Sequence, residues 1–183
     1  KTLWEYSYAA PFSPDYDMSN GPGPHATPLV VGNLVITSGA TGKLHCLDKK
    51  TGKVLWSHDL INEFHGTLRV NGYSCSPIAY KDKIVMLVGG QASALVAFNQ
   101  KDGSVAWKKH DFKNSTSSPI VINVDGQDQL VAFMYGEVVG VDPNNGDLLW
   151  SHPHPVDYGL NTSTPIWGAD NLLFISSGYD GGS

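Results

Sequence analysis

The side chains that read as candidates for chemistry fall in four stretches of the chain: 5–26, 57–75, 108–117 and 151–163. They are His25, His58, His65, Arg69, Tyr73, His110, His152, His154 and Asp157. An imidazole can relay a proton or bind a metal, and a guanidinium can clamp a carboxylate. His152-Pro153-His154 followed by Asp157 would set two imidazoles on one side of an extended segment, but no spacing fixes a third ligand. Asp15-Tyr16-Asp17-Met18-Ser19-Asn20-Gly21 offers oxygens at alternate positions, like the opening of a Ca²⁺ loop. Its Gly is one place late and no Glu follows at the twelfth position, so an acidic turn is the simpler reading. His45 alternates with apolar positions and reads as a satisfied core residue. Cys46 and Cys75 allow at most one disulfide and read as small buried residues. No Gly-x-Ser-x-Gly, phosphate loop or zinc signature points to another enzyme class.

What must position these groups is a repeat. A pattern of a small residue, an apolar residue, Asp or Asn, three residues, Gly, three residues and Trp occurs three times without insertion. The copies run Cys46-Leu47-Asp48 through Gly52 to Trp56, Ala97-Phe98-Asn99 through Gly103 to Trp107, and Gly140-Val141-Asp142 through Gly146 to Trp150. Each follows a hydroxyl-Pro step, at Thr27-Pro28, Ser76-Pro77 and Ser118-Pro119, and a fourth step stands at Thr164-Pro165. The prolines are 49, 42 and 46 residues apart. Trp4 reads as the end of an earlier copy.

Between each Pro and its Trp lie four short β-rich runs. In the first unit they are Leu29–Val31, Leu34–Thr37, Leu44–Leu47 and Lys53–Trp56, separated by Gly-Asn, Ala-Thr-Gly and Asp-x3-Gly turns. Four short strands per such repeat make a propeller blade, and helical periodicity is nowhere sustained. Gly52, Gly103 and Gly146 stand where a turn needs a positive φ. Asp48, Asn99 and Asp142 can accept N–H bonds inside the same turn. Trp56, Trp107 and Trp150 would bury their rings between blades, opposite the small Cys46, Ala97 and Gly140. The motif is therefore structural. The reading predicts an all-β, partial propeller of three full blades, 28–57, 77–108 and 119–151, within one domain spanning 1–183. Residues 1–27 would be an outer strand plus a long loop, and 165–183 the start of a further blade.

Composition narrows the function. Only 16% of residues are charged, the formal net charge is −5, and 20 glycines with 11 prolines favour turns over helices. Without clustered Lys and Arg there is no electrostatic footprint for nucleic acid. The longest strictly apolar runs are far shorter than the roughly 20 residues of a membrane span. The first residues, Lys1 to Tyr6, lack an initiator Met and the basic and apolar regions of a signal peptide, so a targeting segment is expected to be removed or to lie upstream.

The repeated Asp-x3-Gly-x3-Trp unit resembles the tryptophan-docking motif of the pyrroloquinoline-quinone (PQQ) repeat superfamily, which includes quinoprotein alcohol dehydrogenases, BamB-like lipoproteins and cofactor-free propellers. His25-Ala26-Thr27-Pro28, Ser38-Gly39-Ala40-Thr41-Gly42 and Ile175-Ser176-Ser177-Gly178-Tyr179 are similar to bacterial PQQ-binding-like propellers of the polyvinyl-alcohol dehydrogenase type. The resemblance implies seven or eight blades, a periplasmic or secreted protein, and a chain that is an internal half of a larger ring. Its partner would be the missing half or a second copy.

In such propellers the four stretches above gather on one face with the turns between second and third strands. A quinoprotein site needs a stacking platform, basic groups for the cofactor's carboxylates, Ca²⁺ ligands and a general base. This chain has no adjacent cysteines, no Cys-x-x-Cys-His and a single Arg, Arg69. The favoured reading is a non-catalytic segment, without cofactor, that binds a protein or small ligand through His25, His65, Arg69, Tyr73, His110, His154, Asp157 and Tyr158. The alternative is part of a PQQ-dependent alcohol dehydrogenase whose PQQ and calcium are held in the intact protein.

Overall fold

The computed structural model describes residues 1–178. It is 40% strand and 4% helix, in four-stranded antiparallel sheets that do not close into a ring. The first blade comprises β1 (Leu29–Val31), β2 (Leu34–Ser38), β3 (Lys43–Asp48) and β4 (Val54–Asp59), hydrogen-bonded in that order. The second comprises β5 (Ile78–Tyr80), β6 (Lys83–Gly90), β7 (Ser93–Asn99) and β8 (Val105–Lys109). The third comprises β9 (Ile120–Val124), β10 (Gln127–Met134), β11 (Glu137–Val141) and β12 (Leu148–Pro153). β13 (Ile166–Trp167) and β14 (Leu173–Phe174) pair as the beginning of a fourth. The part of the 165–183 segment beyond Gly178, including Tyr179, lies outside the described residues.

The central strands are buried on both faces, which is why Ile84 to Val88 and Leu130 to Met134 are continuous apolar runs rather than alternating ones. One five-residue helix, α1 (Leu60–Phe64), was not legible from periodicity. Local caps make it instead. The Asp59 carboxylate accepts from the Ile61 and Asn62 amides, and Glu63 reaches back to accept from the Asp59 N–H at 2.7 Å.

The third and fourth strands of every blade share one irregularity. The register runs Cys46 opposite Trp56, Ala97 opposite Trp107 and Gly140 opposite Trp150, and slips by a residue immediately afterwards in all three. The extra residue is Leu55, Ala106 or Leu149, and each is exposed. A bulge of this kind re-aims the side chain beside it.

The re-aimed indoles cross to the next blade. Trp56 donates its indole N–H to the Gln100 carbonyl at 3.0 Å, and Trp107 donates to the Pro143 carbonyl at 3.2 Å. Trp4 donates in the same way to Lys49 at 2.9 Å, so it sits on the first blade. In each case the acceptor lies three residues before the turn glycine, and the ring lies flat on that glycine. A Cβ on Gly52, Gly103 or Gly146 would come within 2.5, 2.7 or 2.6 Å of Trp4, Trp56 or Trp107 respectively. These glycines have φ of 72°, 73° and 79°. Two demands therefore coincide on one residue: a left-handed turn and room for a ring.

Trp56 and Trp107 are 7% and 8% exposed. Trp150 differs from the burial expected for it: it is half-buried, lies across its own Gly140 and donates to the Gln129 side chain at 2.6 Å. Glycine opposite the ring removes the side chain that Cys46 or Ala97 would interpose.

The turn Asp and Asn side chains divide. Asp48 accepts from the Lys50 and Thr51 amides and Asp142 from Asn144, whereas Asn99 uses its amide to donate to Ser104 Oγ at 2.8 Å. All three turns share the backbone bond from the Gly N–H to the Asp or Asn carbonyl. Before them, Tyr6 and Tyr8 follow Trp4 at a spacing of two, and both pack on His45. The N-terminal segment therefore lies along the first blade with Tyr6 and Tyr8 over His45.

Truncating Trp107 to Ala should cost about 3–5 kcal/mol in denaturant unfolding, because cavity and transfer terms add. Gly103→Ala should cost more than Gly126→Ala. Both carry a positive φ, 73° and 87°, but only Gly103 meets an indole, while nothing lies within 4 Å of a Cβ on Gly126. Equal losses at the two glycines would show that the ring contact contributes nothing.

Candidate functional site

The hydroxyl-Pro steps build the inner seam. A residue before Pro is held extended, so its N–H and side chain have fixed directions. Thr27 donates its N–H to Ser76 Oγ at 2.9 Å, and Ser76 donates its own to Ser118 Oγ at 3.0 Å. One blade's first strand is thus tied to the next through equivalent residues. Beside them, Ser117 Oγ donates to the Ser163 carbonyl at 2.8 Å and Thr116 Oγ1 to the Asn161 carbonyl at 3.0 Å.

Thr27, Ser76, Thr116 and Ser118 line a cleft of about 640 Å³ where the connections converge. Asn20, His25 and Thr27 come from the first connection, Asn71, Ser74 and Ser76 from the second, Thr116 and Ser118 from the third, Leu160 and Thr162 from the fourth. Gly178 completes the wall. The volume is that of a small-ligand site. No lining side chain is a carboxylate, ammonium or guanidinium. Asn71 is oriented from behind: its Nδ2 donates to Asp17 at 3.3 Å, while the Asp17 N–H donates to the Val70 carbonyl at 2.8 Å. Bonds from Ser19 and Asn71 hold the Asp17 carboxyl below its ordinary range.

Of the sequence candidates, His25 lines this cleft, with Nε2 3.3 Å from the Tyr16 hydroxyl. Arg69 and Tyr158 are brought together away from the lining, because Arg69 donates to the Tyr158 carbonyl and stacks over Tyr135 with 5.4 Å to the ring centre. Tyr158 is 71% exposed and has φ 63°. Asp157 is exposed at the start of a short 3₁₀ turn, Asp157–Gly159. His65 is exposed and ends α1 in the left-handed conformation, with φ 55°.

The other candidates have structural bonds. Tyr73 is buried, donates to the Val88 carbonyl at 2.6 Å, and is pushed upward in pKa by that burial. His110 stacks on Phe112 and contacts the Gly146 carbonyl at 2.7 Å, and His58 contacts the equivalent Gly103 carbonyl at 2.8 Å. His154 is buried against the edge of Phe133, with Nε2 2.9 Å from Ser177 Oγ, while His152 is exposed. His45 is buried and Nδ1 has no partner among the described residues; burial, then Lys43, lowers its pKa. Cys46 and Cys75 are free and buried, and burial pushes their thiols up to about 11 and about 12, far from thiolate chemistry. Among the described residues no three His, Cys, Asp or Glu converge as a metal set.

What the residue-by-residue reading passed over were the neutral groups: Asn20, Asn71, Ser74, Thr116 and Thr162. A Ser or Thr in a loop carries no chemical signature alone. The repeated hydroxyl-Pro step was the signal that Thr27, Ser76 and Ser118 share one place in the fold.

The sequence profile described as outer membrane protein assembly factor BamB matches residues 1–181. The chain belongs to this family. It is also 28% identical over 141 residues to the quinoprotein alcohol dehydrogenase PedH of Pseudomonas putida, covering 72% of this chain and 23% of that protein. The chain therefore spans about a quarter of the length of that curated relative. Among solved structures, it superposes on the quinohemoprotein alcohol dehydrogenase ADHIIG of Pseudomonas putida with a TM-score of 0.58 and 20% identity, covering 84% of this chain and 28% of the other. BamB of Moraxella catarrhalis gives 0.55 at 18% identity, covering 79% and 40%. At those identities the superpositions establish the fold: a PQQ-like propeller, related to both groups. No helix among the described residues is long and apolar enough to cross a membrane.

A quinone cofactor with its calcium demands cations for its carboxylates and carboxylates for the ion. The cleft supplies hydroxyls, amides and one imidazole, and the lone Arg69 is engaged by Tyr158 and Tyr135. The residues present do not fit that group.

Asp59 secures the entry to the second connection. Burial alone would raise its carboxyl, but the bonds from Lys43 and Asn62 outweigh this and hold it below the usual value. Asp59→Ala should cost about 1 kcal/mol near neutral pH through the lost helix cap. Since the folded value is depressed, the wild-type advantage is present above the unfolded value of about 3.9 and is lost as pH falls through the folded one. Denaturant melts at pH 7 and pH 2.5 check this; a deficit as large at pH 2.5 would contradict it.

Proposed function

We propose that the chain is a non-catalytic, extracytoplasmic propeller segment whose loop-face cleft binds a ligand. The observation that carries the reading is the lining itself, which converges from four connections and carries no carboxylate, ammonium or guanidinium. Hydrogen-bonding groups on a rigid scaffold support recognition. They supply no electron-accepting group for redox chemistry, and the one imidazole, His25, lies against the Tyr16 hydroxyl. The family's description as an outer membrane assembly factor favours a place outside the cytoplasm and a role as a scaffold. The repeated seat of Trp4, Trp56 and Trp107 on the next blade supports treating the tryptophan-docking motif as the stabilising device. In an intact ring, a further part of the propeller or a second copy would surround the same cleft.

The similarity to PedH favours one other reading, a segment of a PQQ-dependent alcohol dehydrogenase. The two part in a single assay. The 183-residue chain, mixed with PQQ, Ca²⁺ and ethanol, should show neither the visible absorption of bound quinone nor reduction of an artificial electron-accepting dye. Saturable quinone absorption together with alcohol-dependent dye reduction would replace the proposal with the dehydrogenase reading.

A further inference from the structure

The geometry points to a neutral, polyhydroxylated ligand for the cleft: a saccharide held by its ring hydroxyls. The inference rests on the cleft being a binding site and adds the chemical class of what it takes.

Charge excludes one class. A carboxylate, phosphate or ammonium entering this cleft would lose hydration and meet no carboxylate, ammonium or guanidinium on the lining. The nearest acid behind the wall, Asp17, already accepts from Ser19 at 2.8 Å and from Asn71. Polarity excludes another. An apolar ligand would cover hydroxyl and amide groups without replacing their water bonds.

The hydrogen-bonding state of the wall is more specific. Ser76 and Ser118 each accept a backbone N–H from the preceding blade, and among the described residues neither hydroxyl donates to a protein group. Each therefore retains a proton to give. Asn71 spends Nδ2 on Asp17 and keeps its carbonyl oxygen as an acceptor. Asn20, Ser74 and Thr162 make no side-chain bond among the described residues, so they can serve in either sense. A wall of mixed donors and acceptors, spread around a space of about 640 Å³, is matched by a ligand whose groups each donate and accept. Alcohol hydroxyls do this; carboxylates only accept and ammonium groups only donate. Several hydroxyls on one rigid ring engage several wall groups with little conformational entropy lost, which favours a cyclic sugar over an open chain.

The test uses amide chemical shifts of the whole chain, titrated with maltose, D-glucuronate and cyclohexanol at up to 50 mM, about the concentration at which weak sites fill. Maltose should move the Asn71, Ser74, Ser76 and Ser118 amides saturably, and D-glucuronate and cyclohexanol should not. Ser74→Ala and Thr162→Val remove hydroxyls with no other bond among the described residues, and each should weaken maltose binding about tenfold, with indole signals of the folded chain unchanged. If D-glucuronate or cyclohexanol moves these amides and maltose does not, the saccharide assignment is overturned while the cleft remains a binding site. If no probe moves them, the assignment and the cleft-binding reading fall together.

Discussion

The structure depends on an indole ring lying flat on a glycine of the neighbouring blade. A blade's sheet is held by its own ladder, but nothing in that ladder fixes it to the next sheet. The bulge at Leu55, Ala106 and Leu149 turns the adjacent Trp out of its blade's own alternation, and in Trp56 and Trp107 the N–H then finds a carbonyl beyond the seam. The contact is large, apolar and satisfied in its one polar atom, which is what a buried indole requires. It also explains why the turn cannot carry another residue type: the glycine is chosen by backbone and by neighbour at once.

A second seam lies at the inner ends of the blades, where the hydroxyls before Pro77 and Pro119 each receive an N–H from the blade before. The two seams work at opposite edges of the sheet, one apolar and one polar. Between them blade orientation is set, and with it the convergence of the four connections. The cleft is thus a by-product of the same repeat that stabilises the fold: Thr27, Ser76 and Ser118 belong both to the seam and to the lining. Membership of the BamB family and likeness to quinoprotein dehydrogenases fit this division, since a scaffold of this type is fixed by its seams and differentiated by its loops.

Strand positions were legible because each depends on a local pattern that the repeat states three times. The Lys53–Trp56 run is one example: it predicts an outer strand that the structure places at Val54–Asp59. The helix at Leu60–Phe64 was not legible, because its caps come from single side chains rather than a period. The loop face was legible as a place, and not as a set of contacts. Tyr73 and His154 look exposed in a polar connection, yet the fold buries both, because connections fold back over β6 and β10. Asn71 and Thr162 carry no signal in sequence, since their role comes from convergence of segments far apart in the chain.

The seams require that the Trp56 and Trp107 indole N–H groups be closed within the folded protein. Hydrogen exchange of the indole protons, followed by NMR, measures this directly. Trp56 and Trp107 should exchange as slowly as the backbone amides of β6 and β7, because opening either bond requires a blade to leave its neighbour. Exchange of these two protons at the rate of a free indole, while the β6 and β7 amides stay protected, would contradict the account.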